Sequence, residues 1–130
     1  MIDPELWILV HDGDAVTAAR QPNLPPEVAA YLAVHPSEGV RGALAANPGV
    51  PAAELDALMR DVPRVRQCAV CNPSLPLATI QQLASDEDSE ARCDVTANPG
   101  TPTSILRKLA KDPDYFVRRA AQSALRERNP

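Results

Sequence analysis

The chain has 130 residues, a length that suits one domain. Apolar residues make up 45% and aromatics only 3%, so the expected core is Leu, Val, Ile and Ala, which suits thin layers of packed helices better than a β sandwich. A net charge of −4 argues against a general nucleic-acid binder.

In chain order, Leu6-Trp7-Ile8-Leu9-Val10 is too short for a signal-peptide core and is flanked by acids, so no secretory leader is expected. No stretch is long enough to span a bilayer, and no membrane partner is expected. Next comes a layout, His11-Asp12-Gly13-Asp14-Ala15-Val16, that returns as His35-Pro36-Ser37-Glu38-Gly39-Val40. Residues 1–20 therefore read as a truncated repeat. From Gln21 a phrase recurs: Gln21-Pro22-Asn23-Leu24-Pro25, Asn47-Pro48-Gly49-Val50-Pro51, Asn72-Pro73-Ser74-Leu75-Pro76 and Asn98-Pro99-Gly100-Thr101-Pro102. Its starts lie 26, 25 and 26 residues apart, and such a period marks a stack of similar units. Eight of the 14 prolines sit in the phrase, so they punctuate helices and do not signal disorder.

Each repeat reads as two short helical pieces. In the last, Pro99 stops the preceding helix and Pro102 fits the first turn of a new one. Ile105, Leu106, Leu109 and Ala110 form one apolar face, and Asp112-Pro113-Asp114 ends that helix and caps the next. Val117, Ala120, Ala121 and Ala124 form a second face. Leu32, Leu58, Leu83 and Leu109 are equivalent, as are Leu55, Ile80 and Leu106 (with Ala29 in the first copy). Val40, Val65, Ala91 and Val117 open the second piece. The repeats span 21–46, 47–71, 72–97 and 98–125, with a short tail 126–130, in a single helical-repeat domain 1–130. No repeat buries its apolar face alone, so stacking must supply the core.

Polar residues recur too. Arg41, Arg66, Arg92 and Arg118 each follow the residue that opens the second piece, and Asp61, Asp86 and Asp112 recur five or six residues before the later three. The expectation is an Asp–Arg ladder that ties the inter-helix turn to the second helix and links adjacent repeats. The alternative is an arginine stripe that binds phosphate or carboxylate. Asn47, Asn72 and Asn98 are expected to hydrogen-bond backbone at the turns between repeats.

Three cysteines without secretory context imply free thiols in a reducing cytoplasm. Cys68 and Cys71 form a C-x-x-C and Cys93 lies one repeat on, three ligands of a metal or redox site that lacks a fourth. The packing reading is simpler: Cys68 aligns with Ala43 and Ala120, and Cys71 with Ala46 and Ala97. No metal or other cofactor is expected. Charge is uneven: from Asn98 onward seven bases face three acids, with Arg107, Lys108, Lys111, Arg118, Arg119, Arg126 and Arg128 as the bases. Arg107, Lys108, Arg118 and Arg119 are candidates for a partner or nucleic-acid site. Trp7 either covers the end of the stack or anchors a partner. Tyr31, Tyr115 and Phe116 are spread too far along the chain for a base-stacking platform. There is no phosphate-binding Gly-rich loop and no nucleophile set beside His11 or His35, so an enzyme is not expected.

The run Asn-Pro-x-x-Pro, Leu-x-x-Leu-Ala, Asp-x-x-x-x-Val-Arg, clearest from Asn98 to Arg118, resembles the leucine-rich repeat variant family of bacteria over about residues 4–125, and HEAT-type repeats more distantly. The resemblance implies an all-α, right-handed superhelix (an α-solenoid) of about five short repeats, alternating α and 3-10 helices. Some family members carry an N-terminal cysteine cluster for an iron–sulfur centre; here no cysteine precedes Cys68. The expected function is non-catalytic binding of another protein on a curved face. Nucleic-acid binding through the basic last repeat, and a metal or redox site at the cysteines, are the alternatives.

Overall fold

The computed structural model describes residues 4–12 and 14–129. Gly13, part of the layout shared by the first two repeats, and Pro130 lie outside them. Among the described residues there are ten helices and no strand, so the chain is all-α. It divides into two compact units, Met1–Ser74 and Leu75–Pro130.

The first unit holds α1 (Pro4–Asp12), α2 (Ala15–Ala19), α3 (Pro26–Ala33), α4 (Glu38–Ala46), α5 (Ala52–Leu58) and α6 (Pro63–Val70). The odd-numbered helices pack on one another in one layer, α1 on α3 and α3 on α5. The even-numbered ones form the other, α2 on α4 and α4 on α6. Between the layers lie Val28, Leu32, Leu44, Leu55, Leu58, Val65 and Ala69, all buried. Each buried Leu or Val contributes roughly 1.5–3 kcal/mol of apolar burial.

The second unit holds α7 (Leu77–Ala84), α8 (Ser89–Val95), α9 (Thr103–Leu109) and α10 (Tyr115–Arg128). The plan is the same: α7 packs on α9 and α8 on α10. Ile80, Val95, Leu106, Leu109, Val117 and Ala121 fill the space between.

The phrase prolines sit just outside the odd-numbered helices, whereas Pro102 was expected inside the first turn. Pro25, Pro51, Pro76 and Pro102 are N-caps with extended ψ near 145°, not residues of the first turn. The ring fixes φ, and a residue poised just outside the helix costs no donor. Each proline carbonyl accepts the first helical bond, from Ala29, Leu55, Ile80 and Leu106 respectively (3.0–3.1 Å). These are the residues aligned in the core, so the phrase sets the helix register directly.

The expected alternation with 3-10 helices is not what forms: all ten described elements are α-helices. The second helix of each repeat closes a full α turn at its arginine, Arg41 to Ser37 O, Arg66 to Val62 O, Arg92 to Asp88 O and Arg118 to Asp114 O (2.9–3.3 Å). The reason is spacing. Val40 and Leu44, Val65 and Ala69, Ala91 and Val95, and Val117 and Ala121 stand four apart, and only the α period brings both members to one face. Tighter i→i−3 bonds form at the helix ends, as at Asn47 N to Leu44 O, 3.0 Å.

Candidate functional site

The asparagine of the phrase does two jobs. Its Oδ1 accepts from a backbone amide two residues on: Gly49 N to Asn47 (2.9 Å), Ser74 N to Asn72 (2.8 Å) and Gly100 N to Asn98 (2.7 Å). Its amide nitrogen reaches back a whole repeat. Asn47 Nδ2 donates to Ala19 O (2.8 Å) and Gln21 O (2.9 Å), and Asn72 Nδ2 to Ala45 O (2.7 Å) and Asn47 O (2.9 Å). In the first copy Gln21 replaces Asn and donates instead to Thr17 O, while Asn23 closes the turn at a positive φ of 58°. Asparagine tolerates that conformation better than most residues.

The arginines also span repeats. Arg41 Nε and Nη2 form a fork on both oxygens of Asp61 (2.9 and 3.1 Å), while Nη1 donates to the carbonyls of His35 and Pro36 (2.7 and 3.2 Å). Arg92 repeats this on Asp112 (2.9 and 3.2 Å) and on the carbonyls of Asp86 and Glu87 (2.7 and 3.1 Å). The carboxylate partner therefore comes from the following repeat, and the arginine's own turn supplies only carbonyls. The guanidinium bonds hold the Asp61 and Asp112 carboxyls below the usual range. Arg66 is half-buried on α6, and Asp86, exposed ahead of α8, accepts from Asp88 N (2.8 Å).

Of the basic set, Arg118 and Arg128 donate to backbone carbonyls. Arg118 Nη1 donates to Asp112 O (2.8 Å) and Pro113 O (3.0 Å). Arg128 donates to Thr101 O, Asn98 O and Pro99 O. Arg107, Lys108, Lys111, Arg119 and Arg126 stay exposed. The first three edge a hollow of about 520 Å³ that also includes Ala84, Leu109, Asp112 and Pro113.

Along the even-numbered layer of the first unit runs a groove of about 380 Å³. Its floor is Gly39, Gly42, Ala43 and Ala46 of α4 with Cys68 of α6; Arg20, Glu38 and Arg64 edge it. The small side chains keep the α4 backbone open to close approach. The sequence carried this signal as small residues four apart on the face opposite Leu44.

The aromatics form one local group in each unit. Trp7 meets His11 edge-on at 4.3 Å between ring centroids and Tyr31 at 5.9 Å, and His11 Nδ1 lies 3.0 Å from Trp7 O. Trp7 is half-covered by this cluster. Tyr115 and Phe116 form a second edge-on pair at 5.5 Å, and Arg118 sits 5.9 Å over the Tyr115 ring.

Cys68, Cys71 and Cys93 are half-buried and form no disulfide. Among the described residues no cluster of three or more His, Cys, Asp or Glu is placed to hold a metal ion. Burial, and then the charges of Asp94, Asp114 and Glu90, push the Cys93 thiol up. No described helix is long and apolar enough to cross a membrane. Compared with protein-family models, curated proteins and solved structures, the chain finds no match in any of the three.

Proposed function

We propose that this chain is a non-catalytic helical-repeat interaction module that binds another protein along the even-numbered helices. The groove over α4 and α6 is the observation that carries this reading. Its floor is small and apolar, so a partner's side chains can reach the helix backbone. Its rim carries both signs of charge, Arg20 and Arg64 against Glu38, so it suits an apolar segment flanked by charges. The ladder side chains support it from the other direction, because Asn47, Asn72, Arg41 and Arg92 are committed to the fold. The phrase and its period resemble those of the leucine-rich repeat variant family, and that resemblance implies a right-handed superhelix. The test is a pull-down from native extract with the wild-type protein and with an Ala43→Glu, Ala46→Glu variant of unchanged helicity. A protein retained by the first and lost by the second is the expected result. A protein retained equally by both contradicts the groove.

Nucleic-acid binding is a second reading with its own observation, the exposed Arg107, Lys108 and Lys111 around one hollow. It predicts binding that weakens steeply with salt and is lost when the three become Ala. Duplex or single-stranded DNA bound equally by that variant ends this reading.

A further inference from the structure

Arg118 holds the same repeat position as Arg41 and Arg92 and the same pose. In all three, Nη1 donates to the carbonyls six and five residues back, at 2.7–2.8 and 3.0–3.2 Å. In Arg41 and Arg92 this clamp aims the Nε–Nη2 edge at an aspartate, which both donors grip. Among the described residues no carboxylate meets that edge of Arg118. The nearby acids are occupied: Asp112 is gripped by Arg92, and Asp114 Oδ1 caps α10 through Phe116 N (2.8 Å) and Val117 N (3.1 Å). So a planar fork is held in place without the planar anion that its two counterparts take.

The surroundings fit an incoming peptide. Tyr115 and Phe116, 57% and 72% exposed, present an apolar step beside the fork. The aspartates gripped inside the fold are each followed by an apolar residue, Val62 or Pro113.

The geometry points to Arg118, with Tyr115 and Phe116, as a docking site for an acidic segment of a partner protein that places an Asp or Glu carboxylate on the Nε–Nη2 fork and an apolar neighbour on the aromatic pair. This site is built from α10 and the proposed groove from α4 and α6, so each is tested by its own variants. A carboxylate is favoured over a phosphate because the same clamp holds carboxylates at the two equivalent positions.

The test follows the Nε–Hε resonance of Arg118 in the wild-type protein as a capped peptide of alternating Asp and Leu is added. Expected is a saturable shift at Arg118 but not at Arg119, absent with the same peptide carrying Asn for Asp. Arg118→Lys keeps the charge and loses the fork, so it weakens binding by about tenfold or more. Phe116→Ala, at an exposed site where folding is untouched, weakens it as well. Equal shifts at Arg118 and Arg119, wild-type affinity in Arg118→Lys, or a response to oligo-dT with none to the peptide would each overturn the proposal.

Discussion

Asn72 donates from its side chain to the Asn47 carbonyl at 2.9 Å, so the same position in two successive repeats is joined by one bond. Asn72 is only 1% exposed, and its side chain also donates to Ala45 O and accepts from Ser74 N. Asn72→Ala strips these side-chain bonds and leaves the Ala45 and Asn47 carbonyls short of a donor. The expected loss is about 2–4 kcal/mol, read from urea unfolding. A loss within error of zero would mean the asparagine ladder does not hold the repeats together.

The Arg92–Asp112 fork makes stability depend on pH. The Asp112 carboxyl is held below its ordinary value, chiefly by the Arg92 hydrogen bonds. A lowered folded pKa stabilises above the unfolded pKa, and the contribution fades as pH falls through the folded one. Asp112→Asn therefore lowers the urea midpoint at neutral pH, and the gap to wild type closes below about pH 4. Asp56→Asn is the contrast, because its pair with Arg60 (3.3 Å) is largely exposed. A gap independent of pH would assign the effect of Asp112 to packing instead.

Thr101 stands where the other copies carry Leu24, Val50 and Leu75, and all four are buried. Its Oγ1 donates to Val95 O at 2.7 Å, a carbonyl that also accepts Asn98 N at 3.2 Å. Thr101→Val makes the copy match its neighbours in shape yet removes one of those bonds. The expected cost is about 1 kcal/mol by thermal or urea unfolding. A gain in stability would show that the apolar residue is preferred at every copy.

The cysteines divide by surroundings. Cys68 lines the open groove, whereas the Cys93 thiol is pushed up by burial and by nearby acids. The thiolate is the reactive form, so Cys93 alkylates more slowly with iodoacetamide at neutral pH, with an inflection above that of a free cysteine. Faster reaction at Cys93 than at Cys68 would contradict the placement of both.

The periodic apolar positions carried the all-α architecture, because a core residue such as Leu58 or Leu109 is named by spacing alone. Proline positions were readable to within one residue, since both an N-cap and a first-turn proline satisfy the same missing donor. The direction of the arginine fork was not readable. Arg92 lies near Asp86 in sequence but takes Asp112, 20 residues on, and only stacked repeats bring that carboxylate within reach. Trp7 and Tyr31 meet for the same reason, on neighbouring helices of one layer yet far apart along the chain. Arg128 gave no signal, because it belongs to no repeated position; its role appears only once the Asn98, Pro99 and Thr101 carbonyls are seen to need a donor.

The most direct measurement is photo-crosslinking in native extract with a benzophenone side chain placed at Ala46, on the floor of the groove, and at Ala53, exposed on α5. A discrete protein adduct at Ala46 that is absent at Ala53 and abolished by Ala43→Glu is the predicted result. No discrete adduct at Ala46, or the same adducts from both positions, would contradict a protein-binding groove.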